Sequence, residues 1–147
     1  VTHQSGEKQI DALRAAYAAA GVEATLTPFI QDTASAFAEA DVVIARAGAS
    51  TVTELAAVGT PAIFVPFPHA VDDHQTHNAR FLVEAGAAWL QPQSTLTAQG
   101  LAQLLQGLTR SELQARAEKA QAQAQIHAVE TMVQACEQLV AKKANRT

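Results

Sequence analysis

The sequence predicts an α/β fold, a doubly wound parallel sheet of Rossmann type with extra helices at its carboxyl end. Three observations predict it. Short apolar runs alternate with amphipathic stretches along most of the chain. Two of those runs, Asp41–Ala45 (Asp-Val-Val-Ile-Ala) and Pro61–Val65 (Pro-Ala-Ile-Phe-Val), are almost continuously apolar, as in strands buried on both faces of a parallel sheet. Gly21 and Gly59 stand where helices are expected to stop.

The elements follow in order. Val1–Gln4 reads as a strand end and Ser5-Gly6 as a turn. Glu7–Ala20 is a helix, with Ile10, Leu13 and Tyr17 on one side. Glu23–Thr27 alternates as a strand does and is ended by Pro28. Thr33–Ala40 is a short helix, Asp41–Ala45 a strand, Thr51–Val58 a helix and Pro61–Val65 a strand. After the loop Pro66–Asp73 come a helix over Gln75–Ala85 and a strand over Ala87–Leu90. Thr97–Leu108, Ser111–Ala124 and Ile126–Ala141 are helices with no strand between them, and Lys142–Thr147 frays. Strand–helix alternation implies right-handed crossovers and a parallel sheet.

Composition narrows the function. The chain has 147 residues, 48% of them hydrophobic and 16% charged, which suits one domain with a single core. Net charge is −4, so no broad basic surface awaits nucleic acid or an anionic membrane. One cysteine, Cys136, excludes an internal disulfide; its apolar helical context reads as packing filler. No apolar run approaches the ~18 residues of a membrane span. The chain opens Val-Thr-His-Gln-Ser-Gly on a strand, so a fragment is expected, with part of the fold before residue 1.

Ligands of open parallel sheets bind outside the carboxyl ends of the strands. Three loops are expected there: Pro28–Asp32, Arg46–Thr51 and Pro66–His74. In the segment Arg46-Ala-Gly-Ala-Ser-Thr-Val-Thr-Glu54, Gly48 permits a tight turn and close approach. Ser50 or Thr51 then starts a helix whose free N–H groups and positive dipole end suit a diphosphate. Thr51-x-x-Glu54 is equally a capping box, in which Glu54 serves only the helix start. No G-x-G-x-x-G and no G-x-x-x-x-G-K-[ST] pattern is present.

His74 and Gln75 fall at the next helix start and offer the directional donors and acceptors that sugar hydroxyls need. His69, His74 and His77 could be read as metal ligands, but their spacing is not a standard zinc pattern and cysteine partners are absent. Asp72-Asp73 is not a D-x-D arrangement and is explained by helix-start electrostatics. Phe29-Ile30 offers an apolar surface with free backbone groups for a flat base; ordinary core packing of Phe29 is the rival reading. No G-x-S-x-G elbow supports nucleophilic catalysis.

Taken together and in order, the Phe29-Ile30 loop, Asp41–Glu54, Gly59–His69 and Asp73–Ala79 resemble the carboxyl-terminal domain of the MurG family, glycosyltransferase family 28, from residue 1 to about Val140. The resemblance implies one half of a GT-B glycosyltransferase: a single UDP-sugar-binding domain over residues 1–147, without the amino-terminal acceptor domain and the glycine-rich loop that precedes Val1. It implies an inverting transfer of N-acetylglucosamine from UDP to a lipid-linked muramoyl-pentapeptide, with no cofactor and no metal. The general base, the acceptor site and the membrane-facing surface would belong to the other domain, on the cytoplasmic face of the inner membrane. Uracil would lie against Phe29 and Ile30, with the Ile30 backbone reading its edge. Glu54 would hold the ribose, and Gly48, Ala49, Ser50 and Thr51 the diphosphate, with Arg46 supporting that loop. His74, where the family often has Gln, and Gln75 would meet the sugar. The rival functions are another UDP-sugar enzyme of this architecture, such as a 2-epimerase or a glycolipid glycosyltransferase, and a non-catalytic nucleotide-sugar-binding module.

Overall fold

A computed structural model of the chain describes residues 1–68 and 73–144, with the backbone alone for residues 142–144. It divides into two compact units, Val1–Ala36 and a second that begins at Phe37.

In the first unit, strands β1 (Thr2–Gln4) and β2 (Thr25–Thr27) pair in parallel, with Thr2 opposite Thr25. Between them run a 3₁₀ turn, Glu7–Gln9, and helix α1 (Ile10–Ala20), so the helix expected from Glu7 begins with one tighter turn. Gly21 ends α1 in the left-handed conformation, φ 64°, and its N–H bonds back into the last turn. Ile10 is the buried residue of α1. Helix α2 (Thr33–Ala38) starts at the end of this unit and stops two residues before the expected Ala40.

The second unit holds a three-stranded parallel sheet in the order β3–β4–β5: Val43–Ala45, Ala62–Phe64 and Ala88–Leu90. Ile63 is opposite Ile44 on one side and Trp89 on the other. The central strand β4 is buried throughout, whereas Ile44 on the outer strand β3 is 46% exposed. The expectation of a fully buried strand therefore holds for Pro61–Phe64, with Val65 half-buried, but not for Asp41–Ala45, which has a hydrogen-bonded neighbour in this sheet on one side alone.

Helices α3 (Ala49–Val58) and α4 (His74–Glu84) follow β3 and β4, and α5 (Ala98–Gly107), α6 (Arg110–Ala122) and α7 (Ala128–Ala144) follow β5 without a further strand. Val52, Leu55 and Ala56 of α3 meet Phe64 of β4, Leu82 of α4 and Ala120 of α6 in one core. Full burial of Leu55, Phe64 and Leu82 contributes about 1.5–3 kcal/mol each. Arg116 pins α6 to the sheet: its Nη1 donates to the Gly86 carbonyl at 3.1 Å and its guanidinium lies 3.8 Å from the Trp89 ring centroid. Gly59, at φ 81°, ends α3; a Cβ there would come within 3.2 Å of Gln121 Cβ. Helix α7 continues through Ala144, past the expected fray point, and carries Cys136 exposed rather than packed as filler.

Candidate functional site

The carboxyl edge of the second unit's sheet is built from the turns after β3 and β4. Beyond Ala45 the chain runs through Arg46, the fully buried Ala47 and Gly48 into α3. Gly48 is the helix N-cap, and α3 begins at Ala49, two residues earlier than the sequence indicated. Ser50 and Thr51 therefore lie inside the first turn rather than at its start. A capping box from Thr51 to Glu54 is excluded, because the box needs its hydroxyl residue at the N-cap. The earlier start adds a helical bond from the Val52 N–H to the Gly48 carbonyl at 3.0 Å.

With glycine at the N-cap, no side chain caps this end. The first-turn amides of Ala49, Ser50 and Thr51 stand outside the intrahelical ladder and face the strand edge at the positive end of the helix dipole. Gly48 has φ −63° and ψ 147°, open to any residue, and a Cβ there would meet Thr51 Oγ1 at an ordinary 3.7 Å. The chain's own conformation thus places no demand for glycine at this position. Glu54 is exposed, one helical turn from Ser50 and on the same face.

The turn after β4 is strapped to this one. Arg46 Nη1 donates to the carbonyls of Val65 and Pro66, at 3.0 Å each, and the guanidinium lies 5.6 Å from the Phe67 ring centroid. The Phe67 N–H donates to Gln75 Oε1 at 2.9 Å, and Asn78 Nδ2 donates to the Ala47 carbonyl at 3.0 Å. Arg46, Ala47, Phe67, Gln75 and Asn78 thus form one bonded cluster. Asp73, left-handed at φ 52°, precedes α4; its Oδ1 accepts from Thr76 Oγ1 at 2.6 Å, and its carbonyl lies 3.1 Å from the His77 ring. His74 is exposed at the first position of α4. His69 and Asp72 lie outside the described residues, and with them the expectations for the histidine trio and for the Asp72-Asp73 pair.

In the first unit, the expected base loop follows β2. Phe29 is 60% exposed, which overturns its reading as core packing. Its carbonyl accepts from Thr27 Oγ1 at 2.8 Å, and the Ile30 N–H donates to Gln4 Oε1 at 2.7 Å. The Ser35 N–H and hydroxyl both donate to the Asp32 carboxylate, which holds its pKa below the ordinary value of 3.8.

Gln4 and Asn78, which bond the Ile30 N–H and the Ala47 carbonyl, are not singled out as ligand residues by the sequence. Each had a positional signal: Gln4 ends a strand at the same kind of edge, and Asn78 lies one helical turn beyond His74. No described helix is long and apolar enough to cross a membrane.

Parallel strands, a helix N-terminus without a side-chain cap at their carboxyl edge and a second loop bonded to it define an α/β domain built to hold a ligand at that edge. Comparison with known proteins makes the class specific. Residues 1–138 match the glycosyltransferase family 28 C-terminal domain. The chain is 66% identical over 139 residues to an Acidovorax sp. (strain JS42) protein named UDP-N-acetylglucosamine--N-acetylmuramyl-(pentapeptide) pyrophosphoryl-undecaprenol N-acetylglucosamine transferase, covering 95% of the chain and 35% of that relative. It is 67% identical over 141 residues to the protein of the same name from Paracidovorax citrulli, covering 96% of the chain and 40% of that relative. The crystal structure of Acinetobacter baumannii MurG superposes with a TM-score of 0.87 at 46% identity, over 93% of this chain and 42% of that one. The chain belongs to the glycosyltransferase family 28 C-terminal domain family, with the architecture of one half of a GT-B enzyme. It spans from 35% to 42% of the length of these relatives.

Proposed function

We propose that this chain is the donor-binding half of an inverting N-acetylglucosaminyltransferase that uses UDP-N-acetylglucosamine and acts on a lipid-linked muramoyl-pentapeptide. The observation that carries this reading is its 66% identity, over 139 residues, to a transferase so named. The family match favours a glycosyltransferase over a 2-epimerase.

The reading assigns each loop by itself. The Ile30 backbone takes the edge of the uracil and Phe29 its face. Glu54 takes the ribose hydroxyls. Gly48 lets the diphosphate approach closely, and the amides of Ala49, Ser50 and Thr51 bind it. Exclusion of the capping box supports the diphosphate assignment, because Thr51 is then a first-turn residue and not the cap. Arg46 is the strap that holds the loop of Val65 and Pro66. Gln75, fixed through its Oε1, keeps its Nε2 donors for a sugar hydroxyl, with exposed His74 beside it.

In the transfer, negative charge grows on the departing UDP. A preorganised helix N-terminus stabilises that charge, and loss of one such donor costs about 3 kcal/mol. The general base and the acceptor site are assigned to the partner domain of the whole enzyme, which would work on the cytoplasmic face of the inner membrane.

Calorimetric titration with UDP-N-acetylglucosamine, UDP-glucose and UDP tests the reading. The expected result is saturable binding of UDP species, weakened by about 1–3 kcal/mol in Glu54→Ala. A folded sample that binds none of the three rules the donor site out. Loss of thermal stability in Glu54→Ala with affinity intact would return Glu54 to a structural role.

A further inference from the structure

The Ile30 N–H, the group given above to the base edge, already has a partner in the structure. Gln4 Oε1 accepts from it at 2.7 Å, across 26 positions of sequence. The loop does not depend on that bond for its position. The Ser5 N–H donates to the Thr27 carbonyl at 3.2 Å and the Gly6 N–H to the Pro28 carbonyl at 3.0 Å, so backbone bonding between the two segments continues past the ends of β1 and β2. Thr27 Oγ1 then fixes the Phe29 carbonyl at 2.8 Å.

The Gln4–Ile30 bond is also solvent-exposed, so Gln4 can leave by exchanging one hydrogen bond for water. Its side-chain amide presents a carbonyl acceptor beside an NH₂ donor. The edge of a uracil presents the same two groups side by side, a ring carbonyl and the imide N–H. The exposed Phe29 ring lies one residue from the bonded amide and offers a flat apolar face.

We propose that Gln4 is a built-in competitor for the pyrimidine edge: its side-chain carbonyl occupies the Ile30 N–H in the empty protein and swings away when a uridine nucleotide binds. The inference rests on the base assignment made above. A site that is open in only a fraction of molecules binds with an affinity reduced by that fraction. Gln4 therefore lowers affinity for the nucleotide and eases its release, the opposite of what a clamp on the loop would do.

Calorimetric titration of UDP into the wild type, Gln4→Ala and Gln4→Asn tests this, with folding checked by circular dichroism. In Gln4→Asn the amide sits one methylene further from Ile30, so a folded variant is available should Gln4→Ala fail to fold. Removing the competitor tightens the dissociation constant by about 2- to 10-fold, the worth of one exchanged hydrogen bond. An unchanged or weaker affinity in either folded variant overturns the proposal. If that occurs while Glu54→Ala still weakens binding, the donor-site reading stands and this inference alone falls. Absence of UDP binding in the wild type and in both variants removes the base assignment and the inference together.

Discussion

Asn78 Nδ2 donates to the carbonyl oxygen of Ala47 at 3.0 Å, tying the second turn of α4 to the residue just before the α3 N-cap. Ala47 is fully buried, so its carbonyl depends on the protein for this partner. Asn78→Ala is expected to lose about 1–3 kcal/mol of stability, the cost of an orphaned acceptor. Asn78→Asp is expected to lose more, since it sets a carboxylate against a carbonyl. Chemical denaturation checks both, read as a lower midpoint at unchanged slope. Wild-type stability in Asn78→Asp would contradict the bond.

Gly48 gives a sharper separation of fold from function. Its dihedrals suit any residue and its Cβ direction is open within the chain. Gly48→Ala is expected to fold with stability changed by no more than about 1 kcal/mol in either direction, because alanine restricts the unfolded chain while glycine is the better N-cap. The added methyl narrows the approach to the first-turn amides, so UDP affinity is expected to fall about 10-fold or more. Thermal melting and calorimetry on one sample check the pair of outcomes.

Arg46 holds the Val65 and Pro66 carbonyls, and the same loop holds Gln75 through the Phe67 N–H. Arg46→Met keeps the length of the side chain and removes the donors. Stability is expected to fall by about 1–2 kcal/mol. Affinity for UDP-N-acetylglucosamine is expected to fall more than affinity for UDP, because the loop that loosens is the one that holds Gln75, the residue assigned to the sugar. Equal losses for both ligands would detach Arg46 from the sugar side.

Asp32 supplies a pH dependence. Its carboxylate pKa is lowered first by the Ser35 backbone N–H and then by the Ser35 hydroxyl. The folded value lies below the unfolded one, so the contribution is present above the ordinary carboxylate value and is lost as pH falls through the folded value. The advantage in melting temperature of the wild type over Asp32→Ala is expected to be constant above about pH 5 and to shrink below 3.8. The side chain is fully exposed, so the effect is small and is read from the trend with pH. A difference that stays constant down to pH 2 would contradict it.

The sequence carried the order of elements because the apolar runs and the glycine stops are local signals. Gly21 and Gly59 both end helices in the left-handed conformation, where a side chain is strained. Boundaries were less legible. Helix α3 starts at Ala49 because burial of Val52, Leu55 and Ala56 fixes the helix, whereas local propensity favoured Ser50 or Thr51 as the cap. Exposure was the least legible: Phe29 and Cys136 sit in apolar contexts yet face solvent. The straps from Arg46 to Val65 and from Asn78 to Ala47 join positions 19 and 31 apart, and no local pattern encodes them.

The central claim is that a UDP-sugar's diphosphate sits at the N-terminus of α3. Backbone amide chemical shifts, followed by NMR through a titration with UDP-N-acetylglucosamine, test it most directly. The expected result is saturable shifts of the Ala49, Ser50 and Thr51 amides with one common dissociation constant. Shifts confined to the opposite edge, around the cavity of about 420 Å³ lined by Asp41, Thr60 and Arg110, would contradict it.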